Sequence, residues 1–282
     1  MVIFCLRMCW VCVSVLCVPI NQMERMTMQA PEIDHVLVDI DDTLTGDKPG
    51  VSQINANAIN HNALFEELRN QLVEGGASPD AAKTMLLDYV RDHVFWDYSE
   101  IIRDLGLPED QTWARLASWQ DRNLRVFADG VDMVRRLHQR GLNLSICSNN
   151  PLSGCLLKLQ HAGLGDLSGT PYFTRIYASN SLMGQKNAPH WWPRLMEDLA
   201  VSPERVVIVG DNPRDDCAVP RHAGFKHFIL VDRAQTEACR FDGDVIHVRS
   251  LVRVPDLIAA TGGGVTDAAP AAPAPVPSAL TV

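Results

Sequence analysis

Apolar and polar positions follow two regimes along this chain. Ile33 and Val36 to Val38 predict a short buried strand, with the acids Asp39, Asp41 and Asp42 where that strand should run out. Gly46, Asp47, Pro49 and Gly50 are turn formers. From residue 55 to about 124 the spacing is helical: Leu64, Leu68 and Leu72, then Met85, Leu86, Tyr89 and Val90, then Ile101, Ile102 and Leu105. Glycine-rich breaks at 75–80 and 106–110 divide this region, and no strand pattern appears inside it. Trp96, Tyr98, Trp113 and Trp119 are expected to form its core.

Strand and helix then alternate. A helix at 129–139 is carried by Val131, Val134 and Leu137, an apolar strand at 142–147 ends in Ser148-Asn149-Asn150-Pro151, and a helix runs through Leu156, Leu157 and Leu159. A strand at 175–178 and a helix at 191–199 follow, then a buried strand at 205–209 that stops at Gly210-Asp211. A helix to about residue 223 and strands at 227–231 and 245–248 complete the series. Repeated β-α-β units require a parallel sheet covered on both faces, so the expectation is an α/β fold with a small helical unit inserted after the first strand. The expected division is a core of residues 31–45 and 126–250, the insertion at 46–125, and a largely disordered Ala/Pro/Gly-rich tail at 251–282.

Residues 1–30 stand apart. The first twenty are almost wholly apolar and hold Cys5, Cys9, Cys12 and Cys17, but no basic residue precedes the run and no small-x-small cleavage site follows it. The run is at the lower edge of membrane-spanning length. It is expected to be a poorly ordered apolar leader or a misassigned start, with translation beginning near Met23, Met26 or Met28. A membrane partner is expected only if the leader is real. Cys147, Cys155, Cys217 and Cys239 are scattered singly, which suits reduced thiols in the cytoplasm.

The chain has 282 residues, 46% of them hydrophobic and 21% charged, as in an ordinary globular protein. A net charge of −9 argues against nucleic acid as the main partner. An anionic small molecule would need a metal and a lysine to reverse the field locally. Asp39 and Asp41 invite that reading: alternate residues of an extended backbone point the same way, and two carboxylates held close call for a shared proton or a cation. Ser148-Asn149 and Gly210-Asp211, with Asp215-Asp216 beyond, sit at two further strand ends, and Lys186 joins from a loop.

In order and spacing this set resembles the haloacid dehalogenase-like superfamily. Its four motifs correspond to Asp39-Ile40-Asp41-Asp42-Thr43-Leu44, Ser148-Asn149, Lys186, and Gly210-Asp211 with Asp216. Ser179, Gly184, Pro189, Trp192 and Ala223-Gly224 agree as supporting positions. The resemblance implies a Rossmann-like core with a helical cap, and a magnesium-dependent phosphohydrolase acting on a small phosphorylated metabolite. Asp39 would be the nucleophile and Asp41 the general acid and base. Ser148 and Lys186 would bind phosphoryl oxygens, with Thr43 and Asn149 beside the substrate. Mg2+ would be held by Asp39, the Asp41 backbone carbonyl and Asp211, with Asp216 or its neighbour Asp215 behind them.

Alternatives remain within that frame. A phosphomutase or phosphotransferase would use the same residues. A carbon–halogen hydrolase is disfavoured by the acid at Asp41, and a non-catalytic binding module by the retention of every motif. A calcium loop starting at Asp39 would need glycine where Leu44 stands. Two departures from the family pattern are Asn187 where proline is usual and Asp42 where glycine is commoner.

Overall fold

A computed structural model describes residues 33–49, 51 and 63–258. Residues 1–32, 50, 52–62 and 259–282, which include the expected leader, the start of the expected helical region and most of the expected tail, lie outside the described residues. Seven strands form one sheet in the order β5-β4-β1-β6-β7-β9-β8. They are β1 (His35–Val38), β4 (Asn143–Cys147), β5 (Arg175–Tyr177), β6 (Val206–Gly210), β7 (His227–Val231), β8 (Cys239–Asp242) and β9 (Val245–Val248). All neighbours pair in parallel except β8 with β9. The expected α/β architecture is present.

Side-chain alternation explains why both faces are covered. Val36 and Val38, Val207 and Val209, and Ile229 and Val231 face one core, closed by Val131, Val134 and Leu137 of α5 (Ala128–Gln139) and Cys155 and Leu159 of α6 (Leu152–His161). Leu37, Ile208, Phe228 and Leu230 face the other, where Trp191, Trp192 and Leu195 of α7 (Trp191–Leu199) pack with Phe225. The core extends past the expected boundary at 250. Leu251, Val254 and Ile258 are buried against the first face, and the short helix Val254–Leu257 with the turn before it lies along α5.

The inserted region carries α1 (Ala63–Glu74), α2 (Pro79–Asp92), α3 (Tyr98–Asp104) and α4 (Glu109–Asn123). Two strands that the sequence pattern missed, β2 (Thr45–Asp47) and β3 (Leu124–Val126), pair antiparallel as the chain departs and returns. Three residues are too few for a two-residue period to show. Leu68, Leu86, Tyr98, Ile101 and Leu116 make a separate apolar cluster that also takes in Leu157 from α6. Tyr98 belongs to that core, Trp96 and Trp113 pack at its edge, and Trp119 is half-buried outside it. Asp97 caps α3 and joins it to the sheet domain: its Oδ2 accepts from the Ser153 N–H at 2.9 Å, and the Tyr98 N–H donates to Ser153 Oγ at 3.2 Å. Among the described residues no helix is long and apolar enough to cross a membrane.

Candidate active site

Val38 is level with Ile146 on one side and Val209 on the other, so the residues just beyond β1, β4 and β6 share one edge of the sheet. Asp39 continues β1 by one step, its N–H donating to the Val209 carbonyl at 2.9 Å. The turn that follows is tight. The Ile40 carbonyl accepts from the N–H groups of Thr43, Leu44 and Thr45, and Asp42 takes a positive φ of 51° to close it. Aspartate tolerates that conformation better than most residues with a Cβ, which accounts for Asp42 at a position suited to glycine.

Lys186 is the centre of the buried charge, with 2% of its surface exposed. Its ammonium donates to Asp39 Oδ1 at 2.6 Å and to Asp216 Oδ1 at 2.5 Å. Burial would lower its pKa, but Asp39 and Asp216 outweigh that and hold it above the ordinary lysine value. The carboxylate oxygens of Asp39, Asp211 and Asp216 lie within 4.8 Å of one another. Burial pushes Asp39 well above the usual carboxylate range, Lys186 opposes, and Asp216 and Asp41 add to the rise. Asp211 is pushed up to about 7, first by burial and then by Asp216 and Asp42. Crowded, partly desolvated carboxylates with no nitrogen or sulfur donor among them match what a small hard divalent cation requires.

Local backbone makes this cluster possible. Asp216 sits in a wide helical turn, Arg214–Ala218, and its Oδ2 accepts from the Asn212 N–H at 3.0 Å. The same carboxylate crosses directly over Gly210, where any Cβ would collide with it. Asp215 points elsewhere, accepting from Asn149 Nδ2 at 3.1 Å. Asn149 also accepts from the Lys186 N–H at 2.7 Å. Expected as a substrate contact, Asn149 has both ends of its amide engaged by protein and braces the lysine loop.

Ser148 is buried, its N–H donating to the Tyr177 carbonyl and its Oγ accepting from Asn150 Nδ2 at 2.8 Å. Thr43 is wholly buried too, and its hydroxyl has no hydrogen-bond partner among the described residues. The Asp41 carboxylate lies outside the acidic cluster, with 52% of its side chain exposed. Asn150 Nδ2 donates to its Oδ2 at 2.6 Å, and the Lys158 ammonium pairs with its Oδ1. Desolvation would raise Asp41, but Lys158 and the Asn150 hydrogen bond prevail and hold it below the usual range.

Lys158 and Asn150 were not singled out from sequence. Asn150 lies inside the Ser148-Asn149-Asn150-Pro151 run at the end of β4. Lys158 has no such signal: it is one lysine in the last turn of the helix that follows this run.

Comparison with known proteins bears on the family and the fold. The family model described as haloacid dehalogenase-like hydrolase matches residues 33–224. Two relatives are named enolase-phosphatase E1. The one from Methylococcus capsulatus is 22% identical over 189 residues, and the one from Thioalkalivibrio sulfidiphilus is 28% identical over 188. The matches span 56% and 61% of this chain and 81% of each relative. The solved HAD phosphatase from Thermococcus onnurineus has the same fold, with a TM-score of 0.52 and 22% identity over 80% of this chain and 98% of that one.

Proposed function

This chain belongs to the haloacid dehalogenase-like hydrolases, and on that premise we propose that it hydrolyses a small phosphate monoester through an aspartyl-phosphate on Asp39. The observation that carries the reading is the convergence of Asp39, Asp211 and Asp216 within 4.8 Å, two of them bonded to one lysine. The names of the enolase-phosphatase relatives support phosphate esters as the substrate class.

In the first step an Asp39 carboxylate oxygen bonds to phosphorus as the ester P–O bond breaks, and Asp41, ionised while it is paired with Lys158, takes up a proton from solvent once it turns from that lysine and gives it to the departing alkoxide. In the second, Asp41 takes a proton from water as the water oxygen bonds to phosphorus and the Asp39–phosphorus bond breaks. One water is consumed, and phosphate and alcohol leave. Ser148 and Lys186 hold the phosphoryl oxygens, where fixed donors stabilise the charge of the transition state. Asn149 keeps the Lys186 loop in place, and buried Thr43 holds the acidic turn at the substrate's edge. Mg2+ bound by Asp39, Asp211 and the Asp41 backbone carbonyl, with Asp216 behind them, would supply positive charge opposite the phosphoryl group.

Residues 46–125 act as a cap that excludes water from this edge. Their position supports it, because they depart directly after the acidic turn and pack on α6 beside Asp41. The free thiols of Cys147, Cys155 and Cys217, all buried, support a reducing compartment such as the cytoplasm. The test is phosphate release from p-nitrophenyl phosphate and a panel of phosphorylated metabolites with Mg2+ present. Release is expected from the parent and at least 1000-fold less, on the order of the loss of a covalent nucleophile, from Asp39→Asn. An Asp39→Asn protein as fast as its parent would sink the proposal.

A further inference from the structure

Two lysines serve the two reacting carboxylates, one each. Lys186 reaches Asp39 from the loop beyond β5, and Lys158 reaches Asp41 from the last turn of α6. Lys158 is held at the seam between sheet and helical insertion by its neighbours: Leu157 is buried among the insertion's apolar residues and Leu159 in the sheet's core. Its side chain is 15% exposed, and its ammonium has two acceptors, Asp41 Oδ1 and Asn150 Oδ1 at 3.3 Å.

Resting on the function proposed above, we infer that Lys158, with Asn150, selects substrates whose leaving alcohol carries a second anionic group, a carboxylate or a second phosphoryl. The argument is one of position. A group bonded to the Asp41 carboxylate lies next to the oxygen that Asp41 protonates, so Lys158 faces the alcohol and not the phosphoryl being transferred. When Asp41 turns to that oxygen, an ammonium mostly withdrawn from water loses its charged acceptor. An anion one or two carbons beyond the ester oxygen replaces it. A neutral alcohol leaves Lys158 with the Asn150 carbonyl alone. Asp41 keeps 52% of its side chain exposed, so its carboxylate is within reach of an arriving alcohol.

Matched ester pairs test this with the full chain and Mg2+. Phosphoglycolate and ethane-1,2-diol bisphosphate are each compared with 2-hydroxyethyl phosphate, so the arms separate a carboxylate from a phosphoryl anion. For at least one pair the parent is expected to favour the doubly anionic member by tenfold or more in kcat/KM. Lys158→Met is expected to bring that ratio to within about threefold of one, mainly by raising KM for the anion-bearing ester, and Lys158→Arg to keep most of it. A parent ratio near one overturns the inference, as does a ratio that survives in Lys158→Met. So does an equal fall in kcat on both members, which would make Lys158 only a support for Asp41. If p-nitrophenyl phosphate is hydrolysed in an Asp39-dependent way while the ratios are flat, only this inference fails. If no ester releases phosphate, the proposed function fails and this inference with it.

Discussion

The Lys186 ammonium lies 2.6 Å from Asp39 Oδ1, so the proposed nucleophile is held by a buried ion pair before any substrate arrives. Removing the lysine leaves Asp39 and Asp216 without their shared partner in a site that water barely enters. Lys186→Met is therefore expected to cost about 3–5 kcal/mol of stability, the usual penalty for breaking a buried pair. Urea unfolding of parent and variant measures it. The same change is expected to lower kcat by at least about 100-fold through loss of a fixed donor to the phosphoryl group.

The acidic cluster should make stability depend on divalent cations. A ligand bound only by the folded state stabilises it by about 2.7 kcal/mol at 100 times its Kd. Millimolar Mg2+ is expected to raise the Tm of the parent, and EDTA to reverse the rise and abolish phosphate release. Asp211→Asn removes one of the three converging carboxylates and is expected to erase the Mg2+-dependent shift. A parent Tm indifferent to both Mg2+ and Mn2+ would count against a cation at this edge.

Gly210→Ala sets backbone against carboxylate. The added methyl would occupy the space through which Asp216 passes, and backbone holds both sides in place. Overpacking of this kind costs typically about 1–3 kcal/mol. Displacing Asp216 should also raise the Mg2+ concentration for half-maximal activity by about tenfold or more. Equilibrium unfolding and a Mg2+ titration of activity read the two effects separately. A variant with unchanged Mg2+ dependence would show that Asp216 takes no part in holding the cation.

His35 offers a pH signature away from the catalytic edge. It is buried in β1, hydrogen-bonded to Ser145 Oγ at 2.9 Å, and burial with the nearby Arg175 charge lowers its pKa to about 4. Below about 6.5 the unfolded chain binds a proton that the folded chain refuses, so stability falls with pH from about 6.5 down to about 4. Between pH 7 and pH 5 this one residue should remove on the order of 2 kcal/mol. His35→Gln is expected to flatten that part of the urea-midpoint profile. Parallel profiles for parent and variant would contradict the assignment.

The parts of the molecule that could be read from sequence are those whose pattern is long or whose chemistry is local. Strand β6 announces itself through five apolar-to-glycine positions ending in Asp211, and α7 through Trp191, Trp192 and Leu195 on one face. Asp39, Lys186 and Asp211 were legible because each follows a strand end or sits in a recognisable order. Strands β2, β3 and β8 were not, since two are only three residues long and Cys239–Asp242 shows little burial contrast. The separation of Asp215 from Asp216 depends on the wide turn at Arg214–Ala218, which rotates neighbouring side chains in a way no spacing rule encodes. Lys158 was hidden for a different reason. Its partner Asp41 lies 117 positions earlier, and a lysine within a helix looks like any other solvated charge.

The pairing of Thr45 with Val126 and of Asp47 with Leu124 means that the chain crosses from sheet to helices and back through one narrow doorway. Joining two adjacent strands by a short hairpin adds little loop entropy, so the sheet's wiring would survive excision of everything between them. What would not survive is the surface of α6, where Leu157 would be left facing water. The insertion is thus an exchangeable part by topology and a fixed one by packing. Descendants of this chain can swap what lies over the acidic edge only if the newcomer brings its own cover for Leu157.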